Sequence, residues 1–210
     1  VVDFIRKRFG YRKVGHAGTL DPMASGLLIV LLGRFTKKST HFLNYDKEYE
    51  ARLFLGASTD TGDAEGNIIQ GKDAPGCALN IENIENVLKF FRGPVRQVPP
   101  MYSAKKIKGR KLYELARKGI VVEREPKEVF IEKLEIKEVN LPCVTFVVKC
   151  SKGTYIRQLA HDIGERIGCG AHLVFLKRTK IGPFNLLDAV PLDRLRAQRN
   201  ILHESILQPE

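Results

Sequence analysis

The sequence has no Cys-x-x-Cys pair: its four cysteines, Cys77, Cys143, Cys150 and Cys169, are scattered. This usage argues against a zinc ribbon or a dithiol redox centre and fits a reduced, cytosolic chain. Cys169 and His172 have ligand-like spacing, with His161 near in sequence, but zinc needs about four closely arranged ligands. Buried thiols and a structural histidine are the better reading, so no metal is expected. Asp60, Asp63 and Glu65 lack the closing glutamate of a calcium-binding EF-hand, which leaves residues 57–66 as a solvated loop of turn formers. No apolar run approaches the length of a membrane span, and no signal peptide is visible. No repeat, linker or low-complexity stretch divides the 210 residues, so a single domain over 1–210 is expected. Acidic residues are the scarcer charge: 24 Asp and Glu face 35 Lys and Arg, for a net charge of +11. Such an excess suggests a polyanionic partner, and a basic but uninvolved surface is the alternative.

The most distinctive stretch is Gly15-His16-Ala17-Gly18-Thr19-Leu20-Asp21-Pro22-Met23-Ala24-Ser25-Gly26, a glycine- and proline-punctuated loop with one carboxylate. The apolar run Leu27–Leu32 follows at once and reads as a strand buried on both faces. Asp21 is therefore expected at the edge of the core. On composition alone Asp21-Pro22 is a helix N-cap and first helical residue, or a plain turn.

Val1–Phe9 reads as an amphipathic helix with Val2, Ile5 and Phe9 on one face. A short helix is expected over 34–44, and the alternation in 45–55 predicts a strand with Tyr49 on its apolar side. Asn80 is a cap for a helix over 81–92 with Ile81, Ile84, Val87, Leu88 and Phe91 inward, ended by Gly93-Pro94. In 97–125, Pro99-Pro100 blocks regular structure. Lys105, Lys106, Lys108, Arg110, Lys111, Arg117 and Lys118 are interleaved there with Tyr102 and Tyr113, and Leu112, Leu115 and Ala116 form one face of a short helix. Basic residues mixed with aromatics suit phosphate contact and base stacking; a solvated helix with ordinary lysines is the alternative. Strands are expected over 128–139, 144–150 and 173–176, and helices over 155–167 and 192–207. Arg157 near a helix N-terminus opposes the macrodipole, which suggests a carboxylate partner.

Gly15–Pro22 resembles the signature loop of TruB-type tRNA pseudouridine synthases. Four further stretches resemble the same family in the same order: Lys47-Glu48-Tyr49, Gln97–Lys105, Ser151–Arg157 and Gly168–His172. The resemblance implies an α+β pseudouridine-synthase fold with a mixed, mainly antiparallel sheet and flanking helices. It implies isomerisation of uridine 55 in the tRNA T-loop to pseudouridine. Asp21, Tyr49 and Arg157 are then catalytic, with Arg157 as the partner of Asp21. Tyr49 stacks on the flipped base or acts as general base. Tyr155 and Leu176 line the uracil pocket, and His16 packs against the RNA. Residues 97–127 correspond to a thumb-like insertion that closes over RNA with Lys105, Lys106, Lys108, Arg110 and Lys111. By the same resemblance an N-terminal strand is expected ahead of Val1, and an RNA-binding PUA domain would begin about where the chain stops.

The implied reaction exchanges an N1–C1′ bond for a C5–C1′ bond, so no cofactor is required. A carboxylate can attack C1′, attack the ring, or stabilise charge near C1′. Extracting a stacked uridine costs a few kcal/mol, which stacking and phosphate contacts can offset. The expected partner is the T-arm of tRNA, with no membrane, a monomeric protein and a cytoplasmic (or, in a eukaryote, organellar) location. Two other readings stand beside this one: a guide-dependent synthase of the dyskerin-like branch, and a non-catalytic tRNA-binding or folding helper.

Overall fold

A computed structural model of the protein describes residues 1–71, 80–107, 109–198, 200–204 and 206–207; Cys77 and Lys108 lie outside them. The chain begins with helix α1 (Val2–Phe9), closed by Gly10 in the left-handed conformation. Val2, Phe4, Ile5 and Phe9 join a small apolar cluster with Leu195, Ile201 and Leu202 from the chain's far end. Strand β1 (Val14–His16) leads into the signature loop, which contains β2 (Ser25–Gly26), and β3 (Val30–Leu32) returns antiparallel to β1. The apolar run is thus a strand only in its second half. Leu27 instead gives its N–H to the Arg178 carbonyl at 2.9 Å. A 3-10 turn over Gly33–Lys38 and helix α2 (Ser39–Leu43) replace the single expected helix.

Strand β4 (Lys47–Leu55) follows, then the small pair β5 (Ala57–Thr59) and β6 (Ile68–Gly71). Asn80 caps helix α3 (Ile81–Lys89), accepting the Asn83 N–H at 2.8 Å. Ile84 and Leu88 are buried by α3, but Ile81 is 61% exposed. Ile81 shares the face of Leu88 but is the first helical residue, at the exposed end of the stripe. Strand β7 (Gly93–Gln97) begins where the helix-ending signal stands. The insertion that follows contains the hairpin β8 (Lys106–Ile107) and β9 (Arg110–Lys111) and helix α4 (Leu112–Ala116). It leaves from and returns to directly paired residues, because Gln97 lies opposite Lys127 at the start of β10 (Lys127–Asn140).

Strand β11 (Cys143–Cys150), helix α5 (Ile156–Ile167), strand β12 (Ala171–Ile181) and strand β13 (Phe184–Asn185) complete the main layer. The expected C-terminal helix is divided into α6 (Leu192–Ala197) and α7 (Ile201–Glu204). The main sheet has the order β13-β12-β4-β11-β10-β7, with β2 added parallel to β12; every other pairing is antiparallel. This is the mixed α+β sheet the family resemblance implies. Helix α5 buries Ile156, Leu159, Ala160 and Ile163 against it. A side chain at Gly164 would collide with the Ala171 backbone at 2.1 Å, so a glycine lets the helix approach the strand.

Strand β12 explains much of what periodicity misses. Leu173, Leu176, Arg178 and Ile181 all face inward or are enclosed, which strict alternation forbids. Register shifts between Leu173 and Phe175 and between Arg178 and Lys180 reset the phase. Strand β10 behaves likewise, passing from Val129 and Ile131 to Leu134 across a shift at Ile131/Lys133.

Candidate active site

The signature loop is held at both stems. The Ala17 N–H reaches Ile29 O at 3.0 Å, and Ala24 N–H closes a reverse turn on Asp21 O at 2.9 Å. Asp21 therefore sits in a turn, not at a helix start. Gly26 has φ 103°, and a Cβ there would lie 2.3 Å from Arg178 O, so only glycine permits the β2–β12 pairing.

Asp21 is 36% exposed, whereas its partner Arg157 is 5% exposed, and Arg157 Nε lies 2.8 Å from Asp21 Oδ2. The remaining guanidinium nitrogens donate to Thr61 O at 2.8 Å and Tyr102 O at 2.7 Å. One side chain on α5 thus joins the signature loop, the 60s loop and the start of the insertion. The planar five-donor fork of arginine suits this; the point charge of lysine would not. A second carboxylate, buried Asp63, stands with Oδ2 3.7 Å from Arg157 Nε. Asp63 is fixed by Thr61 Oγ1 at 2.6 Å and Glu65 N–H at 3.1 Å. The arrangement leaves one carboxylate enclosed and the other open to a ligand.

Tyr49 lies on β4 opposite Val148 on β11 and Arg178 on β12. Burial pushes its phenol up to about 12, with the Cys150 and Asp21 charges adding to the rise and Arg178 opposing it. Burial also pushes the Cys150 thiol up to about 12, so that cysteine is a poor nucleophile. Leu176 faces Ala51 across the same ladder, on the core side with Tyr49 packed against the cluster. Tyr155 precedes α5, and the buried Gln97 amide holds it twice, accepting its N–H at 2.9 Å and donating to its C=O at 3.1 Å. His16 is exposed at the end of β1. Among the described residues no hydrogen bond or ion pair joins His16 to Asp21, Tyr49 or Arg157. His172 has Nδ1 2.7 Å from Ala57 O.

The basic residues lie on the insertion. Lys106 and Arg110 are exposed on the β8–β9 hairpin. Lys111 sits 5.3 Å from the Tyr113 ring centre, with Arg117 at 5.4 Å from the same ring. Lys105 and Lys127 line a cavity of about 280 Å³ with Gln97, Gly153 and Tyr155. Burial and the neighbouring Lys127 charge lower the Lys105 ammonium. A second cavity of about 370 Å³ is lined by Arg12, Lys13, Arg34 and Lys37 beside β1. The family-like motifs single out Asp21, Tyr49 and Arg157. They do not single out Asp63 or Arg178, whose local sequence looks like loop or strand, and they include Gln97 only as the first residue of a stretch.

Residues 6–156 match the TruB family pseudouridylate synthase (N terminal domain), and residues 157–209 match the tRNA pseudouridylate synthase B C-terminal domain. The chain belongs to the TruB family. The matched regions meet within the site: Asp21 and Tyr49 come from the first, Arg157 and Leu176 from the second. Relatives of this TruB-family chain include the tRNA pseudouridine synthase B of Pelotomaculum thermopropionicum, 47% identical over 99% of this chain and 67% of that protein. The protein of the same name from Francisella philomiragia is 50% identical over 93% of this chain and 65% of its own length. Among solved structures, a chain of a Cbf5-Nop10-Gar1 complex is 30% identical with a TM-score of 0.73, covering 99% of this chain and 52% of that one. One from an H/ACA RNP bound to a substrate RNA containing 2′-deoxyuridine is 27% identical with a TM-score of 0.68, covering 99% and 51%. The TruB-family chain therefore spans about two thirds of these curated relatives and half of these structural ones.

Proposed function

We propose that this chain isomerises a uridine of the tRNA T-loop to pseudouridine, with Asp21 as the reacting carboxylate. The observation that carries the reading is Asp21 itself: a half-open carboxylate placed 2.8 Å from a buried arginine, in a loop held at both stems. Such a group is oriented without being enclosed, as a nucleophile or electrostatic stabiliser at C1′ must be. The reaction balances within the substrate. The N1–C1′ bond breaks, the uracil turns, C5 bonds to C1′, and the C5 proton leaves while N1 gains one.

The Asp21 charge reaches the Tyr49 phenol and helps to raise it. With its phenol at about 12 the hydroxyl is neutral at physiological pH, so it serves as a hydrogen-bonding relay rather than a resting phenolate. Tyr49→Phe keeps the stacking ring; tRNA affinity should be unchanged and turnover should fall by about 10²-fold, the scale of acid–base assistance. An unchanged single-turnover rate would leave Tyr49 with stacking alone.

Lys105, Lys106, Arg110 and Lys111 supply phosphate contacts in this proposal, with Lys108 in the same segment. Replacing Lys105, Lys106 and Arg110 by alanine should reduce the log–log salt slope of tRNA binding by about 2, at roughly 0.7 per lost contact. Exposed Lys106 and Arg110 should each change stability by less than about 0.5 kcal/mol. Equal slopes in a salt-titrated binding assay would place the RNA elsewhere, and the basic cavity beside β1 would be the next surface to test.

The decisive experiment incubates the purified protein alone with unmodified tRNA and scores pseudouridine. The structural likeness to Cbf5-containing complexes favours a guide-dependent second reading, but the relatives named tRNA pseudouridine synthase B are nearer in sequence. Product formed without guide or partner supports the stand-alone enzyme; binding without product in every combination supports the helper.

A further inference from the structure

Arg178 is only 2% exposed and is among the largest fully buried side chains of the protein. Taking a guanidinium out of water is costly unless its donors are used, and an apolar residue would fill this sheet face without that cost. Its donors go to the signature loop. Nε lies 2.8 Å from Leu27 O, and Nη2 lies 3.0 Å from Gly18 O. Gly18 and Leu27 bracket residues 19–26, so one side chain ties both stems of the segment that carries Asp21. The Arg178 backbone adds a third tie, accepting the Leu27 N–H at 2.9 Å. Arg178 is also the cross-strand partner of Tyr49, and its positive charge acts on that tyrosine, opposing the rise of the phenol. The register shift between Leu173 and Phe175 puts Arg178 in phase with buried Leu176.

We propose that Arg178 is a positioning residue, a buried clamp that sets the Asp21 loop against Tyr49 without itself touching substrate. This rests on the functional reading above. A loop that loses both side-chain ties, with only its backbone bonds left, would let the carboxylate wander by about 1 Å, a displacement worth roughly 10²-fold in rate. Arg178→Met keeps bulk and removes the donors, whereas Arg178→Lys keeps one cationic donor.

The test measures single-turnover rate at saturating tRNA, tRNA affinity, and amide hydrogen exchange over residues 19–26. The expected result for Arg178→Met is a rate lower by about 10²-fold, affinity within about threefold, and exchange in 19–26 faster by at least about tenfold with α5 unchanged. Arg178→Lys should recover about tenfold of the lost rate. An unchanged rate, unchanged loop exchange, or affinity falling in step with rate each overturns the proposal. Far-ultraviolet dichroism showing both variants unfolded would assign Arg178 to fold stability and overturn it too. A wild-type protein that forms no pseudouridine would sink the functional reading instead, and loop exchange would then decide the clamp by itself.

Discussion

Asp21→Asn should abolish pseudouridine formation while leaving tRNA affinity within about tenfold, or roughly 1.4 kcal/mol. The substitution is nearly isosteric. The turn closed by Ala24 N–H on Asp21 O uses the backbone, so it survives. What is lost is a negative charge 2.8 Å from Arg157 and open to a ligand. An amide can accept one hydrogen bond from the guanidinium, but it is a poor nucleophile and does not stabilise developing positive charge at C1′. Single-turnover assays with saturating tRNA separate this from a binding defect. A rate within tenfold of wild type would reduce Asp21 to a turn residue, the bland reading of its Asp-Pro context.

Arg157→Met should damage both stability and turnover. The arginine is 5% exposed between two carboxylates, and its loss strands the enclosed Asp63 without its nearest cation. Breaking a buried pair by removing one partner costs about 3–5 kcal/mol. For a chain of this size that corresponds to a fall of roughly 10 °C in Tm, at about 2–4 °C per kcal/mol. The carbonyls of Thr61 and Tyr102 lose their donors as well, so two loops loosen together with the signature loop. Turnover should drop by at least about 10²-fold even below the new melting range, because the Asp21 carboxylate is no longer aimed. Arg157→Lys restores charge but only part of the fork, and should recover stability more than rate. Calorimetry and single-turnover rates on the two variants are sufficient. A Tm change under about 2 °C for Arg157→Met would show that the ion pairs contribute little, and an unchanged rate would remove Arg157 from the site.

The two predictions differ in origin. Asp21 is conspicuous in the sequence because it stands in a contiguous motif: a turn, a carboxylate and flanking glycines within a few residues. Tyr49 and Arg157 stand in further resembling motifs, although composition alone assigns one to the core and the other to an awkward helix start. Asp63 was read as a member of a solvated loop. Nothing near it in sequence indicates that α5, nearly a hundred positions later, brings a guanidinium to 3.7 Å. Gln97 opens a resembling stretch, but its neighbours in sequence do not show that both polar ends of its amide are used by Tyr155, 58 positions away.

What the sequence by itself determined is whatever depends on neighbours along the chain. The Asn80 cap, the inward stripe of α5, the alternation of β4, the breaks at Gly93 and Pro99, the net charge and the carboxylate loop all follow from short-range sterics, hydrogen bonding and amphipathic period. Only the tertiary structure decided the length and phase of β12, the division of the last helix, and which polar groups meet in the interior. Strand β12 shows the reason most directly. Its two register shifts abolish the period of two that a sequence reader relies on, and they are tolerated because β4 and β2 supply the hydrogen bonds on either side. The first of them puts Arg178 in phase with buried Leu176, and its guanidinium reaches carbonyls separated from it by some 150 residues. A buried cation is stable only where such acceptors already stand, and their convergence is a property of the folded sheet, with no trace in the local sequence.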